Sequence, residues 1–568
     1  MMHIKYLLIG FAVVVTVACS KKRDTADLLI RGGKIYTMNE GTPMVEAVVV
    51  KDGKVVFTGA EDKCNEFVSD DTKVIDLKGH VMTPGFIEGH GHLMGVGYNE
   101  MELNLMDVKS YEELVTRVKD AVSKAKPGEW ILGRGWHQDK WDHLPDKMIK
   151  GFQTHHLLSS VSPDNPVFLR HASGHAGLAN AKAMEIAGIN QLSRESLQAA
   201  ESEGGEIIRD QLGNPTGIFN ERAMAIIAGH IPANTDSTDA RALEHALKAC
   251  HRNGITAFHD AGASQRNIDL FRRFKNSGNL DVRLYVMLGG AALARQWLSK
   301  GPEIDPEHLL TIRSIKLSCD GALGSRGAWL LEPYQDRPGF YGMATISMDT
   351  VLSIARAALK HGFQVCSHAI GDRANREVLN RYEIALKENP SRATDHRFRI
   401  EHAQHLHPDD IPRFGRLGVI PAMQAIHMSS DRPWAIDRLG KKRIEEGAYM
   451  WQSLLGTGAR IVNGTDAPVE PLNPIPSFYA SVSRKTLSGE PKGGFEPAEK
   501  MTREQALRSY TLDAAYGSFQ EKVMGSIEKG KYADFTVFSE DILEVDESRL
   551  LQVQVVMTFI NGKVVYQK

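Results

Sequence analysis

The chain has 568 residues, of which 42% are hydrophobic and 24% charged. That is ordinary globular composition in a chain too long for one compact core, so several domains are expected. Lys plus Arg number 68 and Asp plus Glu 70, a net charge of −2, which offers no basic footprint for nucleic acid and no acidic tail. Five cysteines in so long a chain do not make a disulfide scaffold.

The chain opens on a targeting segment. Lys5 is followed by an apolar run from Tyr6 to Ala18, then by Cys19, Ser20, Lys21 and Lys22. A short positive region, an apolar stretch of this length and a small residue before the break make a secretory signal over 1–19. The run is too short to span a bilayer comfortably. Cys19 directly after Val17-Ala18 resembles a bacterial lipoprotein box, which implies a lipidated Cys19 as the new N-terminus. Ser20 behind it resembles the outer-membrane sorting pattern. The expected location is the cell envelope, as an outer-membrane lipoprotein facing the periplasm. The lipid would be the sole membrane contact. An ordinary cleaved signal or a retained anchor is the alternative.

A linker over 20–26 leads into strands over 27–83. Leu28 to Met38 is interrupted by Gly32-Gly33, and Val48–Val50 and Val55–Phe57 flank Asp52-Gly53, a hairpin signal. Val81–Ile87 reads as the next strand. More than a hundred residues then separate it from its successor, too many for a loop, so an inserted subdomain is expected over about 97–235. Asp239 to Asn253 reads as a helix stopped by Gly254, followed by strands Ile255–Phe258, Val282–Leu288 and Ile312–Leu317. Asp349 is expected to cap an apolar-periodic helix through Leu359, stopped by Gly362. The strands Phe363–Cys366, Phe398–Ile400, Val419–Ala422 and Arg460–Val462 follow. Strands alternating with helical segments argue for parallel βα units, and eight of them predict an α/β fold, a (β/α)8 TIM-like barrel over 84–505. A helix and a β return occupy 506–568, where Thr558–Ile560 and Val564–Tyr566 flank Asn561-Gly562. Two β-rich ends around a different middle predict a small β-sandwich built from both termini.

Most predicted barrel strands run straight into polar residues. The first reaches Glu88-Gly89-His90-Gly91-His92, the second His259-Asp260, and the fourth carries Lys316 and reaches Cys319-Asp320. The fifth reaches His368 and Asp372, the sixth Glu401-His402, the seventh Gln424 and His427, the eighth Thr465-Asp466. Strand C-termini of a parallel barrel converge on one face, where catalytic groups sit. A lone histidine is more often a hydrogen-bonded core residue; a run of them on consecutive strand ends is not. His90 and His92, two apart on an extended strand, point to one face and can reach one metal. His368, His402 and Asp466 complete an N/O set suited to a divalent metal, zinc first. A metal-activated water would attack a carbonyl carbon.

The string TPGFIEGHGHL, with the hairpin upstream and GKYADFTVF at 530–538 downstream, resembles the amidohydrolase superfamily. GRGWHQDKW, SGHAGLAN, GITAFHDAG, IKLSCDGALGSR, SHAIGDRAN, RIEHAQ and NGTDAPV are similar to its amidohydrolase-3 branch, which contains the N-substituted formamide deformylase-like enzymes. The resemblance covers nearly all of the chain after residue 27. It implies a metal-dependent barrel beside a β-sandwich. It further implies that His90 and His92 bind one metal, with Lys316, as a carbamate, bridging to a second one on His368 and His402. Asp466 is implied as ligand and general base. The alternative for Lys316 is a salt bridge to Asp320.

Trp136, His175, Asp320, Arg326 and His427 are candidate substrate-binding residues, and Asp431 is a further candidate for the pocket lining. His137 stands where the family usually has Asp, and Ser173 likewise before Gly174-His175. Arg326 could polarise a carbonyl or bind a carboxylate, or form a structural ion pair. The inserted segment is expected to form much of the pocket. The reading is an amidohydrolase acting on a non-peptide C–N bond of a small-molecule amide. Two alternatives stand beside it: an exported binding protein with a degenerate hydrolase fold, and the same site acting on an ester, lactone or cyclic imide. A homodimer is compatible with the sequence, which does not fix the oligomeric state.

Overall fold

The computed structural model describes residues 25–138, 141–171, 176–189, 205–221 and 223–568. Cys19 and His175 lie outside the described residues.

Two sheets form the terminal sandwich. The four-stranded sheet runs Lys54–Gly59, Ala47–Lys51, Leu28–Arg31, Lys73–Asp76. The six-stranded sheet runs Lys563–Gln567, Val555–Ile560, Phe535–Phe538, Val81–Pro84, Lys34–Tyr36, Met44–Val45, and so interleaves both ends of the chain. Ile30, Val48 and Val50 of the first sheet share a core with Ile35, Phe535, Val537 and Phe559 of the second. Both hairpins turn on a pair of left-handed residues, Asp52 and Gly53 at φ 49° and 73°, Asn561 and Gly562 at 51° and 70°. That backbone twist matches the flanking strands, which is why Asp-Gly and Asn-Gly signal hairpins.

Eight parallel strands make the barrel: β1 Phe86–Gly91, β2 Ile255–Ala263, β3 Arg283–Gly289, β4 Leu310–Ser318, β5 Gln364–Ala369, β6 Arg399–His402, β7 Ile420–Met423 and β8 Val462–Asn463. They pair in unbroken order from β1 to β8. The apolar run Val81–Ile87 is not one strand. It divides at Gly85, where an added Cβ would lie 2.1 Å from Thr256 Oγ1. The chain leaves the sandwich there and enters the barrel wall. Two helix starts also shift. Ser347, not Asp349, caps the helix Met348–His361 by accepting from the Thr350 N–H, and Gly362 at φ 80° ends it. The helix before β2 spans Asp236–Arg252 and is capped by Thr235.

The insertion begins later than residue 97. Helix Leu93–Met101 lies on the barrel, so close to Asp236–Arg252 that a Cβ on Gly97 would sit 1.9 Å from the Ala242 carbonyl oxygen. Beyond it, Leu103–Asn104, Ile131–Trp136, Val167–His171, Ala176–Ala179, Pro215–Glu221 and Gly205–Arg209 form a separate six-stranded sheet. It has its own core around Leu105, Trp136, Leu169 and Ile218.

Barrel and sandwich are joined by a buried ion pair. Arg283 Nε on β3 lies 2.6 Å from Asp534 Oδ2, just ahead of the strand Phe535–Phe538, and both side chains are buried. Asp534 Oδ1 also accepts from the Asn561 N–H at 2.8 Å. Removing one member leaves an uncompensated buried charge. Asp534→Ala should therefore cost about 3–5 kcal/mol, read as a lower urea midpoint than that of the parent protein.

Candidate metal centre

The site forms where β8 returns to β1. The Asp466 N–H donates to the His90 carbonyl at 2.8 Å, and the His92 N–H to the Ala467 carbonyl at 2.7 Å. Glu88 adds a side-chain tie, its Oε1 accepting from the Thr465 N–H and its Oε2 from Thr465 Oγ1. Gly464 is needed here, because a Cβ would sit 2.3 Å from Glu88 Oε1 and 2.6 Å from the His90 nitrogen. Burial pushes the Glu88 carboxyl up to about 8.

These ties bring Asp466 between two groups of imidazoles. His90 Nε2 lies 3.6 Å and His92 Nε2 3.2 Å from Asp466 Oδ1, and one ligand atom from each of the three fits within 4.8 Å of the others. His402, His427 and Asp466 form a second such group, with His427 Nε2 3.5 Å from Asp466 Oδ2. Lys316 Nζ lies 3.2 Å from His90 Nε2, and the His368 ring is 4.5 Å from that of His402. All six predicted ligand positions therefore meet at one barrel mouth. His368 stands apart from both compact groups, its Nε2 turned to Asp320 Oδ1 at 3.4 Å.

The donor set suits a divalent cation. Burial, then Lys316, lowers His90 to about 4, and the same two causes lower His368 to about 3. Burial holds His402 well below its ordinary value. Neutral imidazoles with a free lone pair result, as metal ligation requires. Burial alone would raise the Asp466 carboxyl, but the adjacent His427 and His92 imidazoles hold it well below the usual range. Asp466 Oδ1 is buried with no hydrogen-bond partner, an orphan that a cation would satisfy. Burial also lowers the Lys316 amine, favouring the neutral form.

Two supporting groups were not singled out in the sequence. The Glu401 carboxylate bonds His90 Nδ1 and is gripped by Arg399 through two bonds of 2.8 Å. Arg399 and Glu401 are both fully buried. They share one face of β6, two residues apart, and the sequence signal was two opposite charges in an apolar strand. Gln424 Oε1 bonds His402 Nδ1 at 2.6 Å, which leaves Nε2 facing the site. Ligating histidines are commonly oriented by such partners on their other nitrogen.

The open side is a cleft of about 800 Å³ that reaches His92, Lys316, His368, His402, His427 and Asp466. Among the described residues, none of the inserted sheet lines it, contrary to expectation. Its walls come from helix Ala425–Gly447 and the segments around Leu323 and Ile346. Trp136 is not in the cleft. It is fully buried in the inserted core, its Nε1 donating to the Leu169 carbonyl. Arg326 is held by Asp336 through bonds of 3.1 and 2.8 Å, a structural ion pair. Asp320 is buried, accepting from the N–H groups of Trp329, Ile370 and Gly371. Its Oδ1 lies 3.4 Å from His368 Nε2 without a hydrogen bond, and it forms no ion pair with Lys316. His427 and Asp431 do line the cleft.

Glu401→Gln removes the charge that fixes His90. Metal affinity should fall about 10–100-fold, measured by chelator competition, with secondary structure retained by circular dichroism.

The chain is similar to several known proteins along most of its length. Protein LONG AFTER FAR-RED 3 of Arabidopsis thaliana is 32% identical, over 95% of this chain and 92% of its own. N-substituted formamide deformylase of Arthrobacter pascens is 27% identical, over 95% and 98%. The crystal structure of an uncharacterised metal-dependent hydrolase from Pyrococcus furiosus superposes with a TM-score of 0.72 at 27% identity, covering 91% of this chain and all of that one. The amidohydrolase family model matches residues 73–566. With its barrel, its sandwich and its convergent histidines, the chain is a hydrolase-fold protein that belongs to the amidohydrolase family.

Proposed function

We propose that the protein hydrolyses a non-peptide C–N bond of a small-molecule amide, using divalent metal, with zinc as the first candidate. The observation that carries this reading is the convergence of six ligand-type residues at one barrel mouth around the unpartnered Asp466 Oδ1. The printed name of the Arthrobacter relative supports the amide class. In this reading His90 and His92 would hold one cation and His402 a second, with His368, although it stands outside the compact groups, as a further ligand. Lys316, as a carbamate formed with CO2, would be a further ligand; its lowered basicity favours the uncharged amine that takes up CO2. When bound, the metal supplies Lewis acidity toward water and the scissile carbonyl. Asp466 accepts the proton from the attacking water and returns it to the leaving nitrogen. His427 faces Oδ2, so it steers the carboxylate while Oδ1 stays toward His90 and His92.

Elemental analysis of metal-replete protein lacking residues 1–19 should find about two metals per chain, the count set by the two ligand groups. Asp466→Asn should lower kcat on an N-alkylformamide by at least about 100-fold, the lower end of what a positioned base contributes. One metal per chain would remove the Lys316 carbamate from the scheme. None would overturn the reading.

We also propose that the chain is exported and anchored through a lipidated Cys19. Cys19→Ser should move it from the membrane pellet to the soluble fraction, followed by immunoblot after cell fractionation; unchanged retention would contradict the anchor.

A further inference from the structure

The wall above the ligands has its own chemistry. Helix Ala425–Gly447 sets His427, Asp431 and Trp434 at i, i+4 and i+7, one stripe of a helix, and all three line the cleft. At helical rise, Asp431 lies about 6 Å and Trp434 about 10 Å along the axis beyond His427. Glu470, in the segment after β8, joins this wall. Its Oε1 accepts from Ser430 Oγ at 2.6 Å and lies 3.7 Å from His427 Nδ1. Asp431 Oδ2 accepts a long bond of 3.4 Å from Gln404 Nε2.

Neither carboxylate has a Lys or Arg in an ion pair among the described residues. No described arginine lines the cleft, and its one lysine is Lys316 on the floor beside His90. The arginines on and beside this helix are committed elsewhere, Arg432 to Glu496. Arg326 and Arg438 both bind Asp336, and Arg438 lies 5.8 Å from the Trp434 ring. Leu323, Ile346 and Trp434 supply apolar surface around the two carboxylates. Such surroundings keep water out and strengthen a charge–charge interaction.

We infer that the amide processed here carries a positively charged group on the substituent that runs up this wall, with Asp431 and Glu470 as the residues that select it. The inference rests on the hydrolase reading above. The cationic group would lie about 6–10 Å from the reacting end, the distance from His427 to Asp431 and Trp434 along the helix. An ammonium there meets Asp431, which has no ion-pair partner among the described residues, Glu470, which it shares with His427, and an aromatic face. A carboxylate in the same place meets like charge, offset only by the His427 imidazole already set between Asp466 and Glu470.

The test uses metal-replete enzyme and three N-alkylformamides of equal chain length, ending in trimethylammonium, tert-butyl or carboxylate. Trimethylammonium and tert-butyl have the same shape, so charge alone separates them, and neither can coordinate a metal. The expected kcat/KM order is cation over neutral by about tenfold and neutral over anion by a similar factor, the scale of a partly screened charge pair. Asp431→Asn should cut the cation-to-neutral ratio about threefold or more, and so should 0.5 M salt. The ratio is the readout, because a poorly folded variant lowers all rates together. An equal or reversed order, or a ratio unmoved by Asp431→Asn, would overturn the inference. If no formamide is turned over, the amide reading fails, and calorimetry then decides the charge preference separately. Choline binding more tightly than its neutral isostere 3,3-dimethylbutan-1-ol would support a cation-selective wall, and equal or weaker binding would overturn it.

Discussion

The seam between the last barrel strand and the first is the constraint on which the site depends. β8 contributes two residues of regular strand, Val462 and Asn463, too few to close a barrel by a long ladder. Closure is completed by the two backbone bonds that join Asp466 and Ala467 to His90 and His92. These are ligand positions. The contacts that shut the barrel thus also set the Asp466 carboxylate against the two imidazoles. The backbone adapts to this. Asp466 is left-handed at φ 58°, and His402, facing it from β6, at φ 72°. Each non-glycine residue in that region costs about 1–2 kcal/mol, so the seam and the β5–β6–β7 pairing must hold both against relaxation.

Behind the ligands stands a buried polar network that a barrel core would ordinarily not contain. Arg399, Glu401, His259 and His90 are linked by hydrogen bonds, and each is almost wholly buried. Arg399 also donates to the Gly89 carbonyl at 2.7 Å, reaching across the barrel from β6 to β1. Burial alone would raise the Glu401 carboxyl, yet Arg399 and His90 hold it far below the carboxylate range. A fixed anion on Nδ1 keeps the His90 ring from turning. The charges inside this core are therefore paired, and their cost is set against orientation of one ligand.

Much of this was legible in the sequence, because polar residues at the ends of apolar strands carry both fold and site. His90, His402 and Asp466 stand at or just past the ends of predicted strands and meet in the folded barrel, and Asp52-Gly53 and Asn561-Gly562 mark the two sandwich hairpins. What was not legible depends on direction rather than residue type. Trp136 and Arg326 sit in suggestive strings, but one turns into the core of the inserted sheet and the other toward Asp336. Linear distance misled in the same way for the insertion: its size suggested a pocket wall, yet it buries its apolar residues in a core of its own. Glu401 was hidden by its neighbour, since a strand presents Glu401 and His402 to opposite faces and only the histidine matched a ligand pattern.

The barrel mouth divides its work between two kinds of structure. The candidate ligands come from strand ends, where the ladder fixes them. The cleft wall comes from one helix and the segments after β4 and β8, where substitutions leave the ladder untouched. In that arrangement the reaction class and the substrate class are separately encoded. On the proposed reading, the strand-end residues set the reaction. The stripe of His427, Asp431 and Trp434, with Glu470 beside it, says what the rest of the molecule must look like. His427 belongs to both, touching Asp466 on one side and Glu470 on the other. The charge that a substrate brings to the wall is thus felt one residue away from the carboxylate that handles the proton, so recognition and chemistry meet at that imidazole.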